Sequence, residues 1–533
     1  MPATKSANSD MPKPIPLRWK FCRRFYEPIL LEVALKKIRP PDFSETQHAP
    51  NSIRDSGDSA EQTFRCFVNR LAQVCDNLRG DNGATVTGIA VLLEPEGVHY
   101  IIGSNNRRAA KLHEVGVFVT ELLNIAARTT DQQADGGLQV HGEALCHILK
   151  FDENRVRFYL TSTVEHLQLC IDDYDRRYDT KSLAAEASRF RRQLSELTEL
   201  VKFGDDRTLD ERAYFAACKA LFLFIHDAQR QKLGDSISEQ ARDGEIDSKK
   251  DWIDLRHSVG RLHSYYLAVK TIVRASRLWK RLCHDFKVTV IPSAPVHPHP
   301  LCLKRPVAHE ILGRMSSDEG KIATYRSLAA ELQPLGLDLN ILNECNDLSQ
   351  THMVHAEILV LDYVLKYMQE NDDAKFWNNW RYIGSSKPTC RLCNYYFTAH
   401  TSGVQVRESH NNLYPHWRAP DVFDEAAMKA TEKLLDAVIK RTRADAVRSL
   451  ESQRLQGRRF DSNSFSYQPW QKTATSVSEL ISNRPSVSDL ISNFSNLRTI
   501  DEEDGRSTAG QVHDDDEEDK IVFKGRRSLA ARG

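Results

Sequence analysis

His355-Ala356-Glu357, followed about 35 residues later by Pro388-Thr389-Cys390-Arg391-Leu392-Cys393, constrains this chain more than any other stretch. The two elements offer one imidazole and two thiols as metal donors, and one carboxylate free to move protons. Three protein donors leave a tetrahedral zinc ion a fourth position for water, the arrangement of a catalytic site rather than a structural one. Such a site also dictates local shape. Positions two apart lie about 200° apart on a regular helix, so His355 and Glu357 can share a site only at a helix start. Ser349 and Thr351 are plausible caps upstream, and Ile358, Leu361, Leu365 and Met368 supply the apolar stripe of the helix that follows. Cys-x-x-Cys at a second helix start lets both sulfurs reach one metal. Ser385-Ser386-Lys387-Pro388 offers that helix capping hydroxyls and a first-turn proline. A helix N-terminus also favours the thiolate form that metal binding needs.

Other readings stand beside this one. A structural zinc site would need a fourth protein ligand, with Cys345, His352, His400 and His410 as candidates. Each of the two strings is weak alone, so chance spacing without a metal is a further alternative. Competing groupings are poorer. His141-Gly142-Glu143 repeats the first string, but only the single cysteines Cys146 and Cys170 follow it. His309-Glu310 lacks a second histidine, and His297-Pro298-His299 lies in a proline-rich stretch. No phosphate-binding loop, dinucleotide fingerprint or nucleophile elbow occurs.

Composition narrows the class. At 533 residues the chain has room for two or three domains, and 41% hydrophobic with 27% charged residues is ordinary for a soluble globular protein. Lys plus Arg equals Asp plus Glu at 73 each, so net charge gives no global argument for nucleic-acid or membrane binding. Charge is uneven: Arg18 to Arg39 is basic, and Asp514 to Asp519 is an uninterrupted acidic run. Met1 to Leu17 has no apolar core of a secretory signal, and Leu221 to Ile225 is far too short to span a bilayer. The eleven cysteines then read as reduced, mostly buried thiols, and a cytoplasmic or nuclear protein without membrane attachment is expected.

The texture divides the chain into five parts. Residues 1–60 form a polar, basic segment with one amphipathic helix around Phe25 to Ile38. Residues 61–108 hold a helix from Glu61 to Leu78, with Phe64, Val68, Leu71 and Val74 in step, then a β-hairpin. Its strands are Val86 to Leu93 and Val98 to Ile102, with a turn at Glu94-Pro95-Glu96-Gly97 and an end at Gly103-Ser104-Asn105-Asn106. Residues 109–306 are helical almost throughout, most clearly from Trp252 to Phe286, where Leu255, Val259, Leu262, Tyr266 and Val269 keep a helical period. Val288 to Ile291 reads as a short strand, and the five prolines of Pro292 to Pro306 as a linker or an extended crossing. Residues 307–450 carry the candidate site. Residues 451–533 are polar and blockily charged, which predicts a disordered tail. They contain a repeat, Ser476 to Asn483 and Ser486 to Asn493, that is a candidate protein-partner motif or phosphorylation segment, beside the plainer reading of a solvated tail.

An H-x-E string followed by a P-C-x-x-C-like element is the signature of zinc deaminases. With Tyr382-Ile383-Gly384-Ser385-Ser386-Lys387-Pro388-Thr389-Cys390 and the stretch His410 to Trp417, the sequence resembles the cytidine-deaminase-like superfamily. Within it, the likeness is to the fungal nucleic acid/nucleotide deaminases related to bacterial toxin deaminases. The resemblance is strong over Leu348 to Pro420 and weaker over the hairpin. It implies an α/β fold: a mixed sheet of about five strands flanked by helices, here with a large all-α insertion and a disordered C-terminal tail. It implies Zn2+ held by His355, Cys390 and Cys393, and Glu357 as the catalytic proton shuttle. The expected substrate is a nucleobase in a nucleotide or nucleic acid; the alternative is a catalytically inactive scaffold on the same fold. Family folds place a hairpin directly before the H-x-E helix. Here the hairpin lies roughly 250 residues upstream; the resemblance implies that Asn105 or Asn106 takes the place of an asparagine near the sugar or base, the alternative being a plain turn asparagine. Thr389 departs from the family pattern, which has proline directly before the first cysteine, and so alters the pocket wall. Trp377, Trp380, Tyr382, Tyr395, Tyr396 and Trp417 are candidates for base stacking or for the core, and Arg381, Lys387, Arg391 and Arg407 for phosphate contact or a solvated face.

Overall fold

The computed structural model describes residues 13–38, 59–78, 83–129, 134–178, 184–243, 246–302, 304–347, 351–451 and 521–524. The Ser476–Asn493 repeats, and the tail apart from 521–524, lie outside the described residues. Two helices, α1 (Trp19–Ile38) and α2 (Ala60–Cys75), precede the hairpin strands β1 (Thr87–Glu94) and β2 (Gly97–Ser104). Seven helices follow: α3 (Ala109–Ala127), α4 (Ala134–Phe151), α5 (Glu153–Arg177), α6 (Ala185–Val201), α7 (Glu211–Arg230), α8 (Leu233–Asp243) and α9 (Ile246–Leu278). The chain then returns to the sheet as β3 (Phe286–Val290). Helices α10 (Ala308–Gly313), α11 (Glu319–Glu331) and α12 (Leu337–Asn346) lead to α13 (Ala356–Glu370). The remainder is β4 (Lys375–Phe376), β5 (Tyr382–Ser385), α14 (Arg391–Ala399), β6 (Gln405–Val406), α15 (Glu425–Glu451) and β7 (Ile521–Lys524).

The strands form one mixed, seven-stranded sheet in the order β6-β5-β1-β2-β3-β7, with the two-residue β4 also on β1. β1 pairs antiparallel with β2 and β5, while β2–β3 and β5–β6 are parallel. This is the mixed sheet flanked by helices that the sequence predicts. Strand alternation sorts the core into two halves. Ile89 and Val91 of β1, with Val98, Tyr100 and Ile102 of β2, face the core shared with α2 and α3 to α9. Ala90, Leu92 and Ile101 face the opposite core, shared with α1, α13, α14 and α15. Covered on both sides, β1 and β2 are near-continuous apolar runs.

Two elements differ from the sequence reading. The helix expected to run through Phe286 ends at Leu278, where Trp279 leaves the helical region (φ −136°, ψ 78°); Asp285, with a left-handed backbone (φ 42°), then leads into β3. The helix read from about Phe25 to Ile38 begins earlier, at Trp19, and as α1 it is buried along most of its length, carboxylates Glu27 and Glu32 included. Both are paired: Arg314 donates two bonds to Glu27 at 2.8 and 2.9 Å, and Arg391 donates to Glu32 at 2.5 Å. The proline-rich stretch is an extended crossing over 292–299 that ends in a turn at 300–302, and its His297 exchanges backbone hydrogen bonds with His352. Among the described residues no helix is long and apolar enough to cross a membrane.

Glu94, at the hairpin turn, ties three elements together. It accepts from His99 Nδ1 at 2.7 Å, Lys287 Nζ of β3 at 2.6 Å and the Tyr367 hydroxyl of α13 at 2.9 Å. His99 also accepts from the Thr289 hydroxyl at 2.8 Å, a pair of bonds that suits a neutral ring. Burial alone would raise the Glu94 carboxyl, but the bonds from His99 and Lys287 outweigh it and hold it at about 2. A depressed folded-state pKa gives stability that is present above the unfolded value near 4.3 and lost as pH falls toward 2. Glu94→Gln should therefore cost on the order of 2 kcal/mol at pH 7. The difference from wild type should shrink through pH 4 to 2 in denaturant titrations; a pH-independent difference would contradict this role.

Candidate metal centre

Helix α13 begins at His355, its N-cap, so Ala356 and Glu357 are its first two residues. Thr351, one expected cap, is four residues before His355 and does not serve; Ser349, the other, lies outside the described residues. What fixes this start comes from the hairpin. Asn105 Oδ1 accepts from the Ala356 backbone N–H at 2.7 Å, and Asn105 Nδ2 donates to the Gly83 carbonyl at 2.9 Å. Gly88 of β1 completes the fit, since a Cβ there would sit 3.0 Å from the Ala356 carbonyl. The hairpin thus meets the His-Ala-Glu helix in space, as the resemblance implies, despite the helices between them. Asn106 is exposed, with its backbone N–H donating to the Ala84 carbonyl.

Helix α14 starts differently from the sequence expectation. Its N-cap is Cys390 itself, whose sulfur accepts from the Cys393 N–H at 3.4 Å. Ser385 and Ser386 lie upstream and cap nothing there: Ser385 ends β5, Ser386 Oγ accepts from Thr87 N, and Pro388 precedes the helix. The strand pairing Gly88↔Ser385 carries Ser385 to α13, where its hydroxyl donates to Glu357 Oε1 at 3.1 Å. Asn69 accepts from the Ser385 N–H, and Arg407 donates to the Ser385 carbonyl.

His355 Nδ1 lies 3.5 Å from Cys390 Sγ and 3.3 Å from Cys393 Sγ, and the three donor atoms all fall within 4.8 Å of one another. One ring nitrogen carries a single proton or lone pair and cannot serve two sulfurs equally. A tetrahedral ion can, for zinc bonds of about 2.3 Å to sulfur and 2.05 Å to nitrogen put those atoms roughly 3.6 Å apart. The donor set therefore fits zinc. Among the described residues no fourth ligand joins it. Cys345 Sγ donates to the Leu301 carbonyl at 2.8 Å, His400 Nδ1 pairs with Ser402, and His410 Nδ1 accepts from Asn412 N. His352 packs among Tyr26, His299 and His416, where burial pushes it down to about 3. His141 and Glu143 lie on α4 and join no such group.

Burial opposes charge on every group here. In Cys390 the bond from Cys393 and the neighbouring His355 overcome it, putting the thiol well below its ordinary range. Cys393, buried beside that sulfur, is pushed up. Burial works against a charged His355, yet the Cys390 sulfur raises it, and burial raises the Glu357 carboxyl.

Two expected phosphate contacts are spent inside the protein. Arg391, the first residue of α14, is buried against Glu32 and also donates to the Asn411 carbonyl, while Arg407 is buried on Ser385. Of the candidate stacking rings, Trp377, Tyr382, Tyr396 and Trp417 are buried core residues. The ring that faces His355 is Tyr414, at 6.5 Å between centroids, which sequence reasoning missed within its own His410–Trp417 stretch. Ser385, Asn69 and Glu32 were missed as well, and Glu32 carries no local signal because its partner is far along the chain.

Residues 354–421 match the family model described as "OTT_1508_deam:-like deaminase". That stretch is similar to a deaminase domain, and it contains His355, Glu357, Ser385, Cys390, Cys393 and Tyr414. No curated protein and no solved structure matches the chain. Arg391 also lies 3.6 Å from Asp445, and Lys36 shares Glu32 at 3.0 Å, so removing Glu32 leaves two cations facing Asp445 alone, at a cost of about 2 kcal/mol. Glu32→Ala should lower stability by about that amount in chemical denaturation; a loss below about 0.5 kcal/mol would show that Arg391 does not depend on Glu32 to seat α14.

Proposed function

We propose that this chain is a zinc-dependent hydrolytic deaminase acting on a nucleobase in a nucleotide or nucleic acid. The single ring nitrogen set between two buried sulfurs carries the reading, and the similarity of the surrounding stretch to a deaminase domain supports it. His355, Cys390 and Cys393 would hold the ion, and zinc bound there would supply Lewis acidity enough to bring the pKa of water to about 7.

The proton work falls to Glu357. Replacing an amino group by oxygen moves both protons of the attacking water: one goes to the ring nitrogen, and the other, from the added hydroxyl, goes to the amine as its bond to carbon breaks and ammonia leaves. A carboxyl at the second position of α13 is beside the donor cluster without joining it. With Oε1 held by Ser385, the carboxylate keeps one orientation, and Oε2 is the oxygen that would carry the proton. On the substrate side, exposed Asn106 and the remaining amide hydrogen of Asn105 stand at the hairpin end that touches α13, and Tyr414 offers a ring face.

Purified protein should contain about one zinc per chain by elemental analysis. His355→Ala should lose both the metal and ammonia release from a panel of bases, nucleotides and oligonucleotides. Glu357→Gln should keep the metal and lose about 100-fold or more of the rate. Absence of zinc from the wild-type protein, or undiminished ammonia release by Glu357→Gln, overturns the proposal.

A further inference from the structure

Strand β3 would be the border of the sheet if β7 did not cover it. An uncovered border strand presents unpaired N–H and C=O groups to any extended peptide. β7 supplies that peptide: it pairs antiparallel with β3 through Lys287↔Lys524, Val288↔Phe523, Thr289↔Val522 and Val290↔Ile521. The segment is short and sharply bounded in sequence. Ile-Val-Phe-Lys stands between the acidic run Asp514 to Asp519 and the basic Arg526-Arg527. It is an apolar, β-prone island in a polar stretch.

The seat for Phe523 is built into α3. A Cβ on Gly116 would lie 2.0 Å from the Phe523 ring, and the His113 ring is 5.2 Å from it, centroid to centroid. Glycine inside a helix costs about 1 kcal/mol relative to alanine. Here its missing side chain is the space the phenyl ring occupies. Both halves of a recognition event are therefore present, a strand ladder for affinity and a side-chain seat for specificity.

We propose that the groove between β3 and α3 is a peptide-docking site. It recognises a short extended segment with an aromatic ring at its third position, and the chain's own Ile521–Lys524 is the ligand it holds in cis. Four ladder residues and one seated ring are a small contact for a free peptide. Ile521–Lys524 belongs to the same chain as the groove, about 70 residues beyond α15, so its docking is intramolecular and its effective concentration at the groove exceeds that of a dilute free peptide. A modest intrinsic affinity then suffices to keep the groove filled, and a free peptide must compete with the tethered one.

The test uses full-length protein and a fluorescent peptide of residues 514–527, followed by anisotropy. The Phe523→Ala protein, whose own ligand is weakened, should bind the peptide saturably. Wild type should bind it at least about tenfold more weakly, because its tail competes. Phe→Ala in the peptide, or Gly116→Leu added to the Phe523→Ala protein, should abolish binding; leucine preserves the helix while filling the seat. Without added peptide, hydrogen exchange at the β3 amides facing β7 should accelerate at least about tenfold in Phe523→Ala. The proposal is overturned by no saturable binding to Phe523→Ala, by equal binding to wild type, by binding that survives Gly116→Leu, or by unchanged exchange.

Discussion

The hydrogen bond from the Ala356 N–H to Asn105 Oδ1 joins two parts of the chain about 250 residues apart, and the candidate site is assembled around it. The first N–H groups of a helix have no partner within the helix, so a buried helix start must find its acceptors elsewhere. Here the acceptor comes from the end of β2, and the approach is close because Gly88 of β1 has no side chain. The same Gly88 pairs with Ser385 of β5. One strand position thus places the start of α13 on one side and the hydroxyl that holds Glu357 on the other. The chain leaving Ser385 reaches Cys390 five residues later, and the sulfurs arrive where His355 already stands.

The helical region between β2 and β3 does not interrupt this arrangement, because it is paid for by a core of its own. Closing a loop of such length costs conformational entropy that grows only slowly with length. Helices α3 to α9 bury their apolar faces against one another and against alternate residues of β1, β2 and β3. The opposite residues of β1 and β2 belong to the core that contains Cys390, Cys393 and Ile358. The sheet is therefore a partition: one face answers to the insertion, the other to the site. A hairpin that must satisfy both has no polar face, which is why its strands read as apolar runs.

How much of this could be read from sequence follows from how local each interaction is. His355, Cys390 and Cys393 were legible because donor type and spacing are local properties, and the mixed sheet was legible from the hairpin and the resemblance. The caps were misjudged for a physical reason: hydroxyls are the usual N-caps, but Cys390 uses its own sulfur, and Ser385 and Ser386 are occupied by Glu357 and Thr87. Arg391 and Arg407 looked available because charge alone does not disclose a partner, and that of Arg391 is Glu32, on a helix at the other end of the chain. The role of Ile521–Lys524 was hidden in the same way. Its partner strand and its glycine seat lie hundreds of residues upstream, and nothing in a charged tail names them.

The two helix starts also explain why the donor chemistry is gathered here. α13 begins at His355 and α14 at Cys390, so the partially positive ends of both helices face the same few ångströms. That field favours anionic sulfur and carboxylate, whereas burial disfavours it. Within the cluster the balance falls differently at each group: Cys390 is shifted toward its thiolate, while Cys393 and Glu357 are shifted toward their protonated forms. A divalent cation held by His355, Cys390 and Cys393 would favour the thiolate form of both sulfurs, and its binding would release protons.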